Sequence, residues 1–287
     1  MTARVDTAEV AAALRLAPGP VRLADLATDT TPGFDGSKED GRKALADLGG
    51  PLADRQERLF AEGISGGQRS ILLVLQGMDT SGKGGTLRST VGLVDPQGLR
   101  ITSFKAPTAE ERKHDFLWRV ANALPSVGLI GVFDRSHYED VLIARVRKLA
   151  DEAEIERRYE AINAFEAEQA ASGTTIIKCM LHISPEKQRE RLFKRLDNPE
   201  KHWKYNPADL DERALWPAYH EAYEIALERT STEAVPWHVV PADRKWYRNL
   251  AVGALLHDAL VRLDPQWPVA VFDVATERQR LVEERPL

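Results

Sequence analysis

The stretch Ile71-Leu72-Leu73-Val74-Leu75-Gln76-Gly77-Met78-Asp79-Thr80-Ser81-Gly82-Lys83-Gly84-Gly85-Thr86 decides the fold. Ile71–Leu75 is an unbroken apolar run, which reads as a strand buried on both faces and so as part of a parallel sheet. The residues after it carry the GxxxxGK spacing from Gly77 to Lys83. Glycines there let successive backbone N–H groups turn inward around phosphate oxygens. The helix that follows adds its positive end, and Lys83 adds a full charge. Gly77, Ser81, Gly82, Gly84, Gly85 and Thr86 are therefore the expected phosphate cradle. Gly84 stands where such loops usually carry a Ser or Thr hydroxyl for Mg²⁺. A metal is then expected on phosphates and carboxylates, with Asp79 in the loop as one ligand; Thr86 could replace the hydroxyl only if the loop shifted.

Working outward, short apolar runs alternate with helix-length segments. Further strands are predicted at Leu99–Lys105, Leu129–Phe133, Thr174–Ile183 and Trp237–Val240, with helical patterns near 84–92, 110–123, 138–172, 185–196 and 211–229. That alternation predicts an α/β fold, a three-layer sandwich around a central parallel sheet of about five strands. Residues 1–69, broken by Pro18-Gly19-Pro20, Pro32-Gly33 and Gly49-Gly50-Pro51, read as an N-terminal helical extension. Residues 70–263 read as the phosphate-binding domain, with a helical lid at about 185–210, and 264–287 as a C-terminal tail.

The strand at Leu129–Phe133 delivers Asp134 to its C-terminal edge, the place of a metal-binding acid beside a phosphate loop. Arg135 follows as a candidate phosphate clamp, its planar fork suited to two oxygens. Ser136 with Glu139 three residues on reads as a capping box. Lys105, at the end of the second predicted strand, points to the same edge. Arg191, Lys194 and Arg195 are spaced to share one helix face, as in a lid closing over a polyanion.

The chain of 287 residues has a formal charge of −5, yet residues 71–205 are net +2, and Lys187–Lys204 holds seven Lys or Arg against three acids. The basic charge thus gathers around the loop and lid. No apolar run approaches the ~20 residues of a membrane span, no secretory leader is legible, and Cys179 is the only cysteine. A cytoplasmic location without a membrane partner is expected. Trp203 and Tyr205 interleave with Lys201 and Lys204, but no nucleic-acid-binding fold is recognisable and no nucleic-acid partner is expected.

Gly77–Thr86, Phe104-Lys-Ala-Pro107, His114-Asp-Phe-Leu-Trp-Arg119, Phe133-Asp-Arg-Ser-His-Tyr-Glu-Asp-Val-Leu142 and Pro241-Ala-Asp-Arg-Lys-Trp-Tyr-Arg-Asn249 together resemble polyphosphate kinase family 2, from about residue 35 to about 263. The His-Tyr-Glu-Asp and Asp-Arg-Lys-Trp-Tyr forms look like its class III branch, which phosphorylates nucleoside mono- and diphosphates. Gly84, where that branch would place Asp, is more like class I. The resemblance implies a P-loop kinase fold close to thymidylate kinase. It also implies reversible transfer of the terminal phosphoryl group of polyphosphate to ADP and AMP, with Mg²⁺ or Mn²⁺. Asp79 and Asp134 would be the essential, metal-binding carboxylates, with Lys83, Lys105, Arg135 and Ser136 around the transferred group. Cations from Arg189 to Lys204, including Arg191, Lys194, Arg195 and Lys204, would line the polyphosphate route. Asp115 and Phe116 are candidate contacts to an adenine or guanine nucleotide, and a homodimer or homotetramer is expected. The alternative is an ATP-dependent nucleoside monophosphate kinase, for which so extended a basic segment exceeds what a compact triphosphate requires.

Overall fold

In the computed structural model of the chain, which describes residues 5–284, β1 (Ser70–Gln76) occupies the middle of the sheet and is buried along its whole length. Its neighbours are β3 (Ile130–Asp134) and β4 (Thr174–His182); β2 (Leu99–Ser103) and β5 (Trp237–Pro241) form the edges. All four pairings are parallel, in the order β2-β3-β1-β4-β5. Leu75 pairs with Asp134 and with Cys179, so β1 and β3 end within one residue of each other while β4 runs on to His182, and all three present their C-terminal residues at one edge.

Helices cover both faces, because a strand apolar on both sides needs two layers to hide it. The long helix Lys245–Leu263 packs on β4 and β5 and gathers Thr7–Leu14, Lys38–Asp47 and Gly49–Ile64 around it. On the other face Glu152–Ala171 lies against β4, with Glu139–Val146 and Trp216–Thr230 beside it. Val10, Leu14, Leu23 and Phe34 belong to the same core as β1, so the residues before β1 share its interior. After Leu263 the chain turns through left-handed Asp264 and forms Val274–Glu283, a helix with no buried residue. Residues 1–4 and 285–287, the ends of the expected extension and tail, lie outside the described residues. Among the described residues, no helix is long and apolar enough to cross a membrane.

Several predicted elements break where local chemistry outweighs periodicity. The pattern at 110–123 yields only short turns, Glu111–Lys113 and Trp118–Ala121: Thr108 and Glu111 bond each other's backbone N–H groups to open the first, and the chain leaves helical geometry at the extended His114 before Asp115 accepts from Leu117 N–H. The expected helix 138–172 divides at left-handed Lys148, and Asp151 caps the second piece. The pattern at 211–229 becomes Ala208–Ala214 and Trp216–Thr230, the second opening on Pro217. The helix Pro185–Leu196 has the predicted bounds, with Ser184 accepting from Lys187 N–H.

Candidate functional site

The loop after β1 bends through Gly77 (φ 149°), Thr80 (φ 62°) and Gly82 (φ 110°). The left-handed backbone favours glycine at position 82, and a Cβ there would displace the Arg248 guanidinium, which lies 1.7 Å from its place. Arg248 donates to Ser81 O at 3.0 Å, and Arg191 from the helix Pro185–Leu196 donates to Thr80 O (2.8 Å) and Ser81 O (2.9 Å). Holding the Ser81 carbonyl from behind directs the Gly82 N–H to the opposite side, because the two are antiparallel across a trans peptide. Lys83 lies back across the loop with Nζ on Gly77 O at 2.8 Å. Burial, reinforced by the positive charge of Arg135, holds its pKa below the ordinary lysine value.

β3 brings Asp134 to the same edge, and the next residue turns sharply: Arg135 has φ 63° and donates its N–H to Leu75 O at 3.1 Å. Its guanidinium meets the loop's Asp79 at 2.8 Å, and both side chains remain partly open to solvent. A pocket of about 250 Å³ opens here, lined by Gly77, Asp79, Arg135, Glu139, Asp209 and Tyr223 among others. Burial pulls the Arg135 pKa down, but the charges of Glu139 and Asp79 outweigh it and the net shift is upward. Glu139 shifts upward through burial, against the opposing pull of Arg135 and Lys83.

Glu139 is the site residue that the sequence reading put elsewhere. The expected capping box does not form: Ser136 Oγ accepts from Tyr138 N–H (3.2 Å) and Gln76 Nε2 (3.2 Å), and the helix begins at Glu139, whose side chain lines the pocket. Its visible signal was position, an acid in the first turn of the helix leaving the Asp134 edge. Ser136 itself, expected beside the transferred group, is fully buried and occupied by these bonds. Thr86 is also fully buried, with Oγ1 on Gly82 O at 3.4 Å, and has not taken the place of the hydroxyl missing at Gly84.

Residues 35–267 match the family model described as Polyphosphate kinase 2 (PPK2). The chain belongs to the polyphosphate kinase 2 family. It is 48% identical over 240 residues to the AMP/ADP-polyphosphate phosphotransferase of Meiothermus ruber, covering 84% of this chain and 88% of that one. It is 40% identical over 247 residues to the ADP-polyphosphate phosphotransferase of Rhodopseudomonas palustris, covering 82% and 84%. The crystal structure of Polyphosphate Kinase 2 from Arthrobacter aurescens TC1 superposes with a TM-score of 0.95 at 54% identity, covering 98% of this chain and all of that one. The architecture is the P-loop kinase fold of that family.

In this kinase the helix Pro185–Leu196 does not present three equivalent cations. Arg191 is buried, and beyond its two loop carbonyls it reaches Ala242 O and Asp243 O, so it ties its helix to the loop after β1 and to the turn after β5. Lys194 and Lys187 both pair with Glu190. Arg195 bonds Asp209 (3.2 Å) and Lys204 O (2.9 Å). The reason is that partners on neighbouring segments distinguish residues that helical spacing makes equivalent. Arg189, Lys201 and Lys204 are exposed, with Lys204 Nζ 4.8 Å above the Trp203 ring. Lys105 is exposed two residues beyond the end of β2, just after Phe104 N–H bonds Asp134 O at 3.0 Å. Asp115 and Phe116 sit apart from the pocket: Asp115 pairs with Arg157 at 3.3 Å, and Arg158 lies 5.3 Å over the Phe116 ring. Among the described residues no three His, Cys, Asp or Glu side chains cluster as a metal site. The Asp79 and Asp134 carboxylates are hard oxygen donors of the kind that share Mg²⁺ with substrate phosphates, so they fit a metal that arrives with its phosphate ligands.

Proposed function

We propose that the protein transfers the terminal phosphoryl group of inorganic polyphosphate to ADP and to AMP, reversibly, with Mg²⁺ and with Mn²⁺ as a substitute. The observation that carries this reading is the convergence of Lys83, Asp134 and the Asp79–Arg135 pair on one sheet edge beneath a lid with exposed cations. It is supported by relatives named AMP/ADP-polyphosphate and ADP-polyphosphate phosphotransferases.

Phosphoryl transfer passes through a loose transition state, which demands positioning and charge neutralisation more than covalent help. The bond from the terminal phosphorus to its bridging oxygen breaks as an acceptor phosphate oxygen takes its place, and the shortened polyphosphate leaves with the bonding pair. A phosphate monoester has a second pKa near ~6, so its oxygen is already largely ionised at neutral pH and needs no strong base. Lys83 would exchange Gly77 O for a phosphate oxygen, and Arg135 would swing between Asp79 and the transferred group. Asp134 and Asp79 would hold Mg²⁺, which when bound offsets charge on the bridging and terminal oxygens. The Gly82 N–H and the helix behind it complete the cradle. The nucleotide base is assigned to the exposed surface outside the pocket where His114 stacks on Trp118 at 4.2 Å, beside Asp115 and Phe116.

The test is purified protein with Mg²⁺, ADP or AMP, and long-chain polyphosphate, with no ATP added. ATP from ADP and ADP from AMP are expected, and GTP or GDP when the corresponding guanine nucleotide is the acceptor. Product appearing only when ATP is supplied as donor would instead establish the nucleoside monophosphate kinase. Asp134→Asn should abolish turnover and keep the fold; near-normal turnover would remove Asp134 from the mechanism. A homodimer or homotetramer is part of the proposal, supported by exposed Val269, Val271 and Phe272 after the core ends; a monomer mass by light scattering would refute it.

A further inference from the structure

We propose that Tyr138, Glu166 and Lys178 are positioning residues for phosphoryl transfer, a sealed charged network that holds the strained turn at Arg135 on course beside the phosphate loop. The proposal rests on the reading above for its catalytic consequence, and on geometry alone for the holding itself.

Lys178 lies inside β4, in register with Val74 and Trp237, and is completely buried. A charge in the centre of a sheet is costly to desolvate, and an apolar pair of similar volume usually serves stability as well or better. Stability alone therefore does not explain its presence. Its three donors are all used: Glu166 Oε2 at 2.6 Å, Thr230 O at 2.7 Å and Tyr138 Oη at 3.0 Å. Glu166, equally buried on the helix covering β4, accepts with its other oxygen from Tyr138 Oη at 2.8 Å and stands 3.2 Å from His137 Nε2. Tyr138 is thereby locked, donating to Glu166 and accepting from Lys178, with its ring edge-on to Trp237 at 4.6 Å.

Both residues that the network grips follow directly on Arg135-Ser136. Arg135 is in the left-handed backbone region, which disfavours a residue with a Cβ and persists only where both sides are held. Upstream, the hydrogen bond to Leu75 O holds it. Downstream, the holds within three residues are Ser136 Oγ and the buried rings of His137 and Tyr138. Released from Glu166 and Lys178, the turn is free to relax, and Arg135 and Glu139 shift relative to Asp79 and Lys83.

The experiment compares wild type, Tyr138→Phe, and the double variant Glu166→Leu with Lys178→Met. It follows polyphosphate-dependent phosphorylation of ADP together with amide hydrogen exchange at residues 135–139. In the double variant the thermal midpoint should stay near or above that of wild type, while kcat falls ~30- to 100-fold. KM for polyphosphate should stay within about twofold, because many other cations hold the chain in the ground state. Exchange at 135–139 should quicken at least about tenfold, the scale of one lost anchoring interaction. Wild-type kcat and exchange in the folded double variant would overturn the proposal, as would a kcat loss matched by an equal loss of folded protein. If the double variant does not fold, Tyr138→Phe decides: faster local exchange with lower kcat at unchanged midpoint supports positioning, and wild-type behaviour refutes it. Wild-type protein inactive with polyphosphate would sink the proposed function, while the exchange comparison would still judge the network.

Discussion

Two ion pairs flank the same short segment and behave as opposites. Arg135 and Asp79, at 2.8 Å, face the pocket with their side chains 41% and 32% exposed. Lys178 and Glu166, at 2.6 Å and only three residues further along the fold through Tyr138, are 0% and 3% exposed. An open pair is worth little to stability, because water competes for both partners. That same weakness would let it open if a phosphate offered Arg135 more charge, as the proposed function requires. A sealed pair cannot exchange partners with solvent, and losing either member strands the other. On the proposed function the first pair opens in use while the second remains, and the chain between them carries the strained turn.

The widest separation should come from Arg135→Ala. A cation on the transferred phosphoryl group is worth ~10³- to 10⁵-fold in kcat in related chemistry. The exposed pair it breaks contributes about 1 kcal/mol or less to folding. Expected is a kcat loss of at least about 10³-fold with a thermal midpoint within a few degrees of wild type, measured by steady-state kinetics and calorimetry. A large fall in midpoint would mean that the open pair is structural after all.

Glu166→Leu alone should do the reverse, costing ~3–5 kcal/mol in urea denaturation by leaving Lys178 buried without a counter-ion. The sign with pH follows. Burial already depresses Lys178, and without Glu166 nothing in the network opposes that fall. A base whose folded pKa lies below its unfolded value loses stability as pH falls below the unfolded pKa. This variant should therefore regain stability from pH 7 towards 10, where the unfolded chain also sheds the proton. A flat profile would show that Lys178 keeps its charge by another route.

The open half of this comparison was legible in the sequence and the sealed half was not. Ile71–Leu75 followed by GxxxxGK, and an apolar strand ending in Asp134, are short-range patterns whose geometry is set within a dozen residues. Glu139 was misplaced because one residue pattern, Ser-x-x-Glu, serves either a cap or a pocket, and Gln76 took the hydroxyl that the cap needed. Arg191 and Arg248 reach loop carbonyls more than a hundred residues away, contacts that helical spacing does not encode. A lysine inside Ile176-Ile177-Lys178-Cys179-Met180 was a signal, since a charge in a central strand demands a partner. Which acid answers it depends on the rotation of the helix Glu152–Ala171 about its axis.

The smallest expected effect tests whether burial, with only the cations Arg262, Arg15 and Lys178 nearby and no counter-ion, leaves a comparable mark. His238 on β5 is 8% exposed, its Nδ1 is 3.3 Å from Lys178 O, and burial lowers its pKa from 6.5 to about 4. Between those values the unfolded chain binds a proton that the folded protein refuses. Stability is thus complete above the unfolded pKa and declines as pH falls towards the folded one. For this one group the loss from pH 7 to pH 5 is about 2 kcal/mol. His238→Gln, which cannot titrate, should reduce that loss by the same amount relative to wild type in urea titrations at the two pH values. An unchanged difference would mean that His238 accepts its proton in place, and that the carbonyl of Lys178 stabilises charge on this edge strand as Glu166 does at the centre of the sheet.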